Sequence, residues 1–248
     1  MNIIEIKNIS KKYAKNYKSA FHLLKHDLLN SFFKKEENNL KCNKNEFLVL
    51  DNISFNVKEG ERVAILGHNG AGKSTILKML YGIILPDMGE IRIKGEVGGI
   101  LELGGGLKNV LTGRENIKFM ASYYNKNDED IEQIIKEIIT FTELDDFIDS
   151  PTDFYSSGMK SKLAFALYLY MRPDILILDE VFAAGDKKFK EKAKKKLFEL
   201  IYKTTTILVS HDIHIIKEIA QRVIILNKGK LVFDGRVEEG IKVYKGMK

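Results

Sequence analysis

The chain has 248 residues, of which 44% are hydrophobic and 30% charged, and its formal net charge is +6. This length and apolar content predict one large α/β domain, or a core with a lobed insertion. We expect no signal peptide, because residues 1–12 alternate as in a strand and end in Lys11-Lys12. We expect no membrane span, because no apolar stretch reaches the required length. The single cysteine, Cys42, argues against disulfides and metal sites and fits a reducing cytoplasm.

The chain begins with a predicted strand over residues 1–12, where polar and apolar side chains alternate. The segment Ser19–Lys35 carries four apolar residues at nearly helical spacing, Phe21, Leu24, Leu28 and Phe32. This predicts an amphipathic helix that is too short and too charged to span a bilayer. We expect it to lie on a partner or at the membrane surface. The alternative is an ordinary surface helix, and residues 36–46 are predicted to form a loop.

A phosphate-loop pattern follows a predicted strand, Arg62–Leu66, and precedes a predicted helix, Ser74–Tyr81. The run matches G-x-x-x-x-G-K-[ST] at every fixed position. Its residues are Gly67, His68, Asn69, Gly70, Ala71, Gly72, Lys73, Ser74 and Thr75.

The chemistry of this loop follows from its residue types. Glycine lacks a Cβ, so the backbone can wrap closely around a phosphate chain, and its amides and the helix N-terminus attract the negative charge. Lys73 can reach the β- and γ-phosphates, and the Ser74 hydroxyl can bind Mg²⁺. The pattern predicts a nucleoside triphosphate site; the alternative is a chance match in a glycine-bearing turn.

Two further helices are predicted in the middle of the chain. Asp128–Phe141 carries isoleucines at helical spacing, and Ser161–Met171 is a second helical stretch. Tyr155–Lys160, with the sequence Y-S-S-G-M-K, precedes this second stretch. A Ser-Gly turn in that place can be a plain helix N-cap.

Two acids end the next predicted strand. Ile175–Leu178 is entirely apolar, as in a parallel strand buried on both faces, and Asp179 and Glu180 follow it. Adjacent carboxylates there are costly unless a cation or catalysis requires them. Asp179 can hold Mg²⁺ through water, and Glu180 can polarise the attacking water as a general base. The alternative is a strand end with two solvated acids.

The last third of the chain contains one more predicted strand, Thr205–Val209, with His211 after it. Lys187–Lys196 is predicted to be the solvated face of a helix, and a nucleic-acid patch is the alternative. Arg236–Gly246 is predicted to be a short helix.

These motifs, in this order, resemble the ATP-binding cassette (ABC) family from about residue 2 to about residue 235. Tyr155–Lys160 is similar to the family's signature motif, whose commonest form is L-S-G-G-Q; Ser156 and Gly158 match it. Ala183–Asp186 is similar to the family's D-loop, usually S-A-L-D.

The resemblance implies an α/β fold, a P-loop NTPase cassette with a mainly parallel sheet core, an N-terminal antiparallel β portion and a helical subdomain. A single cassette would then fill the whole chain. Its implied parts are a core (1–102 and 173–235), a helical subdomain (103–172), a hairpin insertion (14–46) and a C-terminal helix (236–248).

The resemblance also implies roles for individual residues. Catalysis would use Lys73, Glu180 and His211, with His211 against the γ-phosphate and the water. Tyr13 would stack on adenine, with an ordinary half-buried strand aromatic as the alternative. ATP would be held between the phosphate loop of one copy and the signature residues of a second copy, which are Ser156, Ser157 and Gly158.

The implied Mg²⁺ ligands are Ser74, Asp179 and Glu102. The family usually has a glutamine at the junction into its helical subdomain, and neither Gln133 nor Gln221 stands there. Glu102 is the predicted substitute, which keeps a polar acceptor but adds negative charge.

Four features together are similar to one subgroup, the ATPase subunits of bacterial exporters of O-antigen, capsule and teichoic acid. They are Y-S-S-G-M, L-E-L-G-x-G at the junction, L-T-G-R-E-N after it, and D-E-x-x-A-x-G-D. The longer O-antigen members carry an additional carbohydrate-binding β-domain, which is not expected here.

This subgroup implies a homodimer that uses ATP and Mg²⁺ to drive an integral membrane channel subunit. The lipid-linked glycan would be contacted only indirectly, and nucleic acid not at all. The expected location is the cytoplasmic face of the inner membrane, as a peripheral subunit. The alternatives are an exporter of another substrate, such as a drug, a lipid or teichoic acid, or a soluble ABC ATPase acting on nucleic acid or ribosomes.

Overall fold

The computed structural model describes residues 1–15, 45–100, 106–179 and 187–247. Its strands are β1 (Asn2–Ala14), β2 (Glu46–Lys58), β3 (Arg62–Leu66), β4 (Met88–Ile93), β5 (Val97–Ile100), β6 (Ile175–Asp179), β7 (Thr205–Val209), β8 (Arg222–Asn227) and β9 (Lys230–Gly235). Its α-helices are α1 (Lys73–Leu80), α2 (Gly113–Tyr123), α3 (Asp128–Thr142), α4 (Ser157–Met171), α5 (Lys187–Ile201), α6 (Ile213–Ile219) and α7 (Val237–Gly246). Each strand and helix predicted within these ranges is present, although several begin or end a few residues away from the predicted bounds.

The chain divides into two compact units. The first contains Met1–Lys58, Val63–Lys94 and Ala220–Lys248, and the second contains Glu59–Arg62 and Gly95–Ile219. These boundaries differ from the predicted core (1–102 and 173–235), helical subdomain (103–172), insertion (14–46) and C-terminal piece (236–248), which stay predictions. The predicted amphipathic helix, Ser19–Lys35, lies outside the described residues.

Two sheets form the first unit. One is antiparallel, in the order β2-β1-β4, with Ile6 opposite Phe55 on one side and Ile91 on the other. In the other, β3 pairs in parallel with β8, and β9 runs antiparallel to β8. Residues 63–66 of β3 and 223–226 of β8 are apolar and at most 2% exposed, as expected of parallel strands covered on both faces. The phosphate-loop motif therefore leaves a strand that is anchored in the core.

The second unit contains a parallel sheet in the order β5-β6-β7. The four apolar residues of β6 are at most 1% exposed. Helices α2, α3 and α4 pack on one another in this unit, and α4 is long and buried over most of its second half.

Several residues of the L-T-G-R-E-N run at the start of α2 have a clear structural role. Thr112 and Glu115 form a capping box, in which each backbone N–H donates to the other side chain, at 2.8 and 3.1 Å. The bond from Thr112 N–H lowers the pKa of Glu115 below its ordinary value. The side-chain amide of Asn116, 2% exposed, donates to three loop carbonyls, those of Lys108, Leu111 and Thr112. This run therefore holds the connection into α2.

Tyr155 and Gly113 are packed against each other. The Tyr155 ring is 5% exposed, and its hydroxyl donates to the Phe147 carbonyl at 2.6 Å. Burial raises the pKa of Tyr155, so the hydroxyl remains a donor. A Cβ at position 113 would lie 2.5 Å from the Tyr155 hydroxyl oxygen, so glycine is required there. The tyrosine that departs from the L-S-G-G-Q form is therefore a core residue.

Replacing Tyr155 by Phe removes this hydrogen bond and leaves the Phe147 carbonyl without that donor. We expect the free energy of unfolding to fall by about 1 kcal/mol. Urea denaturation followed by far-UV circular dichroism measures it, because the chain has no tryptophan. The control is Tyr123→Phe, at a tyrosine that is 74% exposed, which should leave stability unchanged. A Tyr155→Phe protein as stable as the wild type would contradict this account.

Candidate functional site

The phosphate loop runs from the end of β3 to the start of α1, and two glycines in it are required by close packing. A Cβ at Gly67 would lie 2.5 Å from the Leu226 carbonyl oxygen of β8. Gly72 has φ +106°, and a Cβ there would meet the Leu50 side chain at 2.5 Å. The loop backbone is therefore seated directly on the backbone of β8 and against β2.

Helix α1 begins without a side-chain cap. Its N-cap residue is Gly72, which has no side chain to accept a hydrogen bond from the first turn. In contrast, Thr112, Asn127 and Ser156 cap α2, α3 and α4 with their side-chain oxygens. An uncapped helix N-terminus presents its first amides and its positive dipole end to an anion. The loop therefore fits a bound phosphate group.

Lys73 and Ser74 offer the side-chain chemistry of this loop. The Lys73 ammonium donates to the carbonyls of Gly67 and His68, at 2.7 and 3.3 Å, so it lies over the loop. Ser74 is exposed, whereas the neighbouring Thr75 is 9% exposed. Of the two hydroxyls, Ser74 is thus the accessible one and fits the hydroxyl ligand that a Mg²⁺–phosphate complex takes.

Asp179 and His211 lie at the same edge of the parallel sheet in the second unit. Asp179 ends β6 and is paired in register with Val209, the last residue of β7. His211 follows two residues later and is exposed. Parallel strands end at the same sheet edge, where ligands bind in α/β folds. Sequence reasoning named both residues, and the register brings their chain segments together.

A turn that sequence reasoning did not single out holds His211 in place. Ser210, 7% exposed, accepts a hydrogen bond from the Asp212 backbone N–H at 3.1 Å. Asp212 in turn accepts from the His214 N–H at 2.8 Å, at the start of α6. The pattern Ser-x-Asp after a buried strand is a recognisable signal of such a turn. These hydrogen bonds fix the backbone on both sides of His211.

The signature residues lie at the start of α4. Ser156 is the N-cap, and its hydroxyl accepts from the Met159 N–H at 3.2 Å. Because of this cap the helix begins at Ser157, four residues before the predicted start at Ser161. Ser156, Ser157 and Gly158 are all exposed. A Cβ at Gly158 would approach only the Ser156 hydroxyl, at 3.9 Å, so packing in this chain does not require the glycine.

Tyr13 lies near the end of β1, paired in register with Phe47 of β2. The two ring centroids are 6.3 Å apart, and Phe47 is 45% exposed. The contact leaves both interpretations of Tyr13 open, the adenine-stacking one and the strand-aromatic one.

Several predicted site residues lie outside the described residues: Glu102, Glu180 and Ala183–Asp186. Among the residues that the structure does describe, no group of three or more His, Cys, Asp or Glu side chains could hold a metal ion. A Mg²⁺ ion bound with a nucleotide takes phosphate and water oxygens and few protein ligands. The Ser74 hydroxyl and the Asp179 carboxylate are each an oxygen donor of the kind that this ion takes. Within the described ranges, no helix is both long and apolar enough to cross a membrane.

Comparison with known proteins adds two kinds of relative. The chain is 44% identical over 204 residues to the teichoic acids export ATP-binding protein TagH of Lactococcus lactis, covering 82% of this chain and 44% of TagH. It is 43% identical over 201 residues to the O-antigen export system ATP-binding protein RfbB of Klebsiella pneumoniae. This match covers 81% of this chain and 82% of RfbB. This chain thus spans less than half of the Lactococcus protein but most of the Klebsiella one.

Solved structures share the fold. An ATP-binding subunit of an ABC transporter superposes with a TM-score of 0.74 at 22% identity, covering 98% of this chain and 93% of that one. The ATP-binding cassette MJ0796, solved as a post-hydrolysis dimer bound to ADP and Pi, superposes with a TM-score of 0.67 at 24% identity. The superposition covers 94% of this chain and 98% of MJ0796.

The family profile described as ABC transporter matches residues 50–183, which is more than half of the chain. This stretch contains the phosphate loop, the signature residues and the acidic strand end. The chain therefore belongs to the ABC transporter family and is an ATP-binding cassette ATPase of that family.

Proposed function

We propose that this chain is the ATP-hydrolysing subunit of an exporter that moves a lipid-linked polysaccharide of the O-antigen or teichoic-acid kind across the cytoplasmic membrane. The proposed substrate class is supported mainly by sequence similarity to two export proteins, each about 43% identical over four-fifths of this chain. The Y-S-S-G-M and L-T-G-R-E-N runs support the same subgroup.

In this proposal the phosphate loop holds the triphosphate of ATP. The loop amides and the uncapped start of α1 donate to its oxygens, and Lys73 exchanges its bonds to the Gly67 and His68 carbonyls for phosphate oxygens. Ser74 and Asp179 would be ligands of Mg²⁺, directly or through water, with Glu102 as the proposed third ligand. A Mg²⁺ ion held there would supply positive charge beside the phosphate oxygens. Tyr13 is proposed to stack on the adenine.

The remaining catalytic residues act on the water. Glu180 is proposed as the general base or water-orienting group, and it follows Asp179 directly in the chain. His211 is proposed to contact the γ-phosphate and the attacking water. The alignment of Asp179 with Val209 supports this pairing, because it brings the two strand ends that carry these residues side by side.

Two copies of the chain are proposed to face each other head to tail, with each ATP held between them. Ser156, Ser157 and Gly158 would contact the ATP that lies on the other copy's phosphate loop. Their exposure, and the empty space around Gly158, support this role. ATP bound by both copies favours the closed dimer, because a ligand shifts an equilibrium only by its differential affinity for the two states. Hydrolysis removes that bias and the dimer opens.

The dimer is proposed to act on an integral membrane channel subunit, at which this chain lies peripherally on the cytoplasmic face. The segment over 14–46 is proposed to contact that channel or the membrane surface. The glycan then passes through the channel and touches this chain only indirectly. An exporter of a drug or another lipid is the competing proposal.

Replacing Lys73 by Ala should weaken ATP binding about 10- to 100-fold, because a charge-assisted hydrogen bond to phosphate is lost. Equilibrium binding of a fluorescent ATP analogue measures this. Lys78→Ala is the matched control, since Lys78 is exposed on the same helix, and it should bind normally. Normal binding by the Lys73→Ala protein would refute the phosphate-loop assignment.

Replacing Glu180 by Gln should preserve ATP binding and slow phosphate release by at least about 100-fold, the scale of a lost general base. With hydrolysis blocked, ATP should hold the protein as a dimer in size-exclusion chromatography. Glu191→Gln, an exposed glutamate of α5, serves as the control and should stay fully active. Near-normal turnover in the Glu180→Gln protein would contradict the role of Glu180.

Purification from membranes through a tag at residue 248 tests the exporter assignment. We expect a multi-spanning membrane protein to be recovered with the chain, and glycan export in cells to stop in the Glu180→Gln variant. Recovery with ribosomes or nucleic acid would overturn the exporter assignment and leave the ATP site intact. Export of the glycan at the normal rate in that variant would favour a different substrate.

A further inference from the structure

The second residue of the phosphate loop stacks on the C-terminal helix. The rings of His68 and Tyr244 are 5.5 Å apart between centroids and 30° apart in orientation. His68 lies between Gly67 and the other loop glycines, while Tyr244 is in the last turn of α7. This contact joins the nucleotide loop to a helix that no sequence motif connects with it.

Helix α7 is itself firmly attached to the sheet of the first unit. Val237 and Ile241 are 6% and 5% exposed. A Cβ at Gly240 would lie 3.0 Å from both the Phe233 ring and the Val223 side chain, so the helix packs closely on β8 and β9. Residues four apart share a helix face, and Tyr244 therefore projects from the same side as Gly240. The tyrosine is therefore carried by a helix that has packing contacts of its own with the sheet.

The same strand, β8, supports both partners of the stack. Its Leu226 carbonyl lies where a Cβ of Gly67 would be, and its Val223 lies under Gly240 of α7. The loop thus has β8 beneath it and the Tyr244 ring beside it. The exposed His68 side chain reaches an anchored neighbour through this ring.

We propose that Tyr244 is a positioning residue of the nucleotide site, which acts through His68 to hold the phosphate loop in its ATP-binding conformation. This inference rests on the proposed function of the loop. A glycine-rich loop has many conformations, and a ligand's apparent affinity falls with the fraction of the protein that is competent to bind. An aromatic stack that fixes one loop residue raises that fraction before ATP arrives.

The coupling must also operate in the opposite direction. If the docked Tyr244 increases the affinity for ATP, bound ATP must stabilise the docked α7 by the same factor. ATP should therefore slow amide hydrogen exchange in residues 237–247, although these residues are not part of the phosphate loop. A merely structural contact predicts no such response.

The first test is a double-mutant cycle on the full chain, read out as the equilibrium affinity for ATP. We expect Tyr244→Leu and His68→Ala each to weaken ATP binding about 2- to 10-fold, the scale of one aromatic pair. The double variant should bind ATP no more weakly than whichever single variant has the lower affinity, because both changes remove the same contact. Tyr244→Phe keeps the ring and should bind ATP as the wild type does.

The matched control is Val243→Ala, at a residue of the same helix that is 38% exposed; it should leave ATP affinity unchanged. In steady-state assays the Tyr244→Leu protein should show a raised KM for ATP with little change in kcat, because loop positioning precedes the chemical step.

Hydrogen exchange of residues 237–247, with and without ATP, is the second test. We expect ATP-dependent protection in the wild type and its loss in His68→Ala. Wild-type ATP affinity in Tyr244→Leu, additive effects in the cycle, or an α7 that does not respond to ATP would each overturn the positioning role. A wild-type chain that binds no ATP would overturn the proposed function as well, so the two failures are distinguishable.

Discussion

The close backbone contact between the phosphate loop and strand β8 is the constraint on which the rest of the nucleotide site depends. The backbone at Gly67 approaches the Leu226 carbonyl so closely that no other residue fits between them. Since β3 and β8 are parallel neighbours with buried side chains, the sheet core itself determines where the loop begins. The turn into α1 then leaves the helix start uncapped, at Gly72, and Lys73 folded over the loop carbonyls. The backbone amides of the loop and of the first turn of α1 therefore attract phosphate, and the Lys73 side chain adds a positive charge.

The signature region divides into a buried part and an exposed part. Tyr155 belongs to the core, where its hydroxyl bonds the Phe147 carbonyl and its ring leaves room only for glycine at position 113. Ser156, Ser157 and Gly158 face outward from the start of α4. The departure of Tyr155 from the commonest form of the motif is thus a change in packing, and it leaves the exposed residues available to a second copy. The L-T-G-R-E-N run, which includes Gly113, is explained by the same local packing and by the hydrogen bonds of Asn116.

The sequence predicted most of the elements and named nearly every residue of the candidate site, but it did not predict their spatial relations. The strands before and after the phosphate loop were recognisable because buried parallel strands are continuous apolar runs. The start of α4 was placed at Ser161 and lies at Ser157, since the Ser156 hydroxyl caps the helix through the Met159 N–H. The alignment of Asp179 with Val209 depends on which strands become neighbours. The stack of His68 on Tyr244 had no signal in the chain, because Tyr244 belongs to no motif and is far from His68 in the sequence.

What the sequence by itself determined was the family, the order of the motifs and the chemistry of the phosphate loop. These depend on short-range constraints: glycine where no Cβ fits, apolar runs where strands are buried, a hydroxyl or carboxylate beside the place of a phosphate. Only the tertiary structure decided that β8 lies under the loop, that Asp179 and His211 follow neighbouring strand ends, and that α7 brings Tyr244 to His68. The physical reason is that pairing between distant segments is selected by the packing of the whole core, in which each contact depends on all the others.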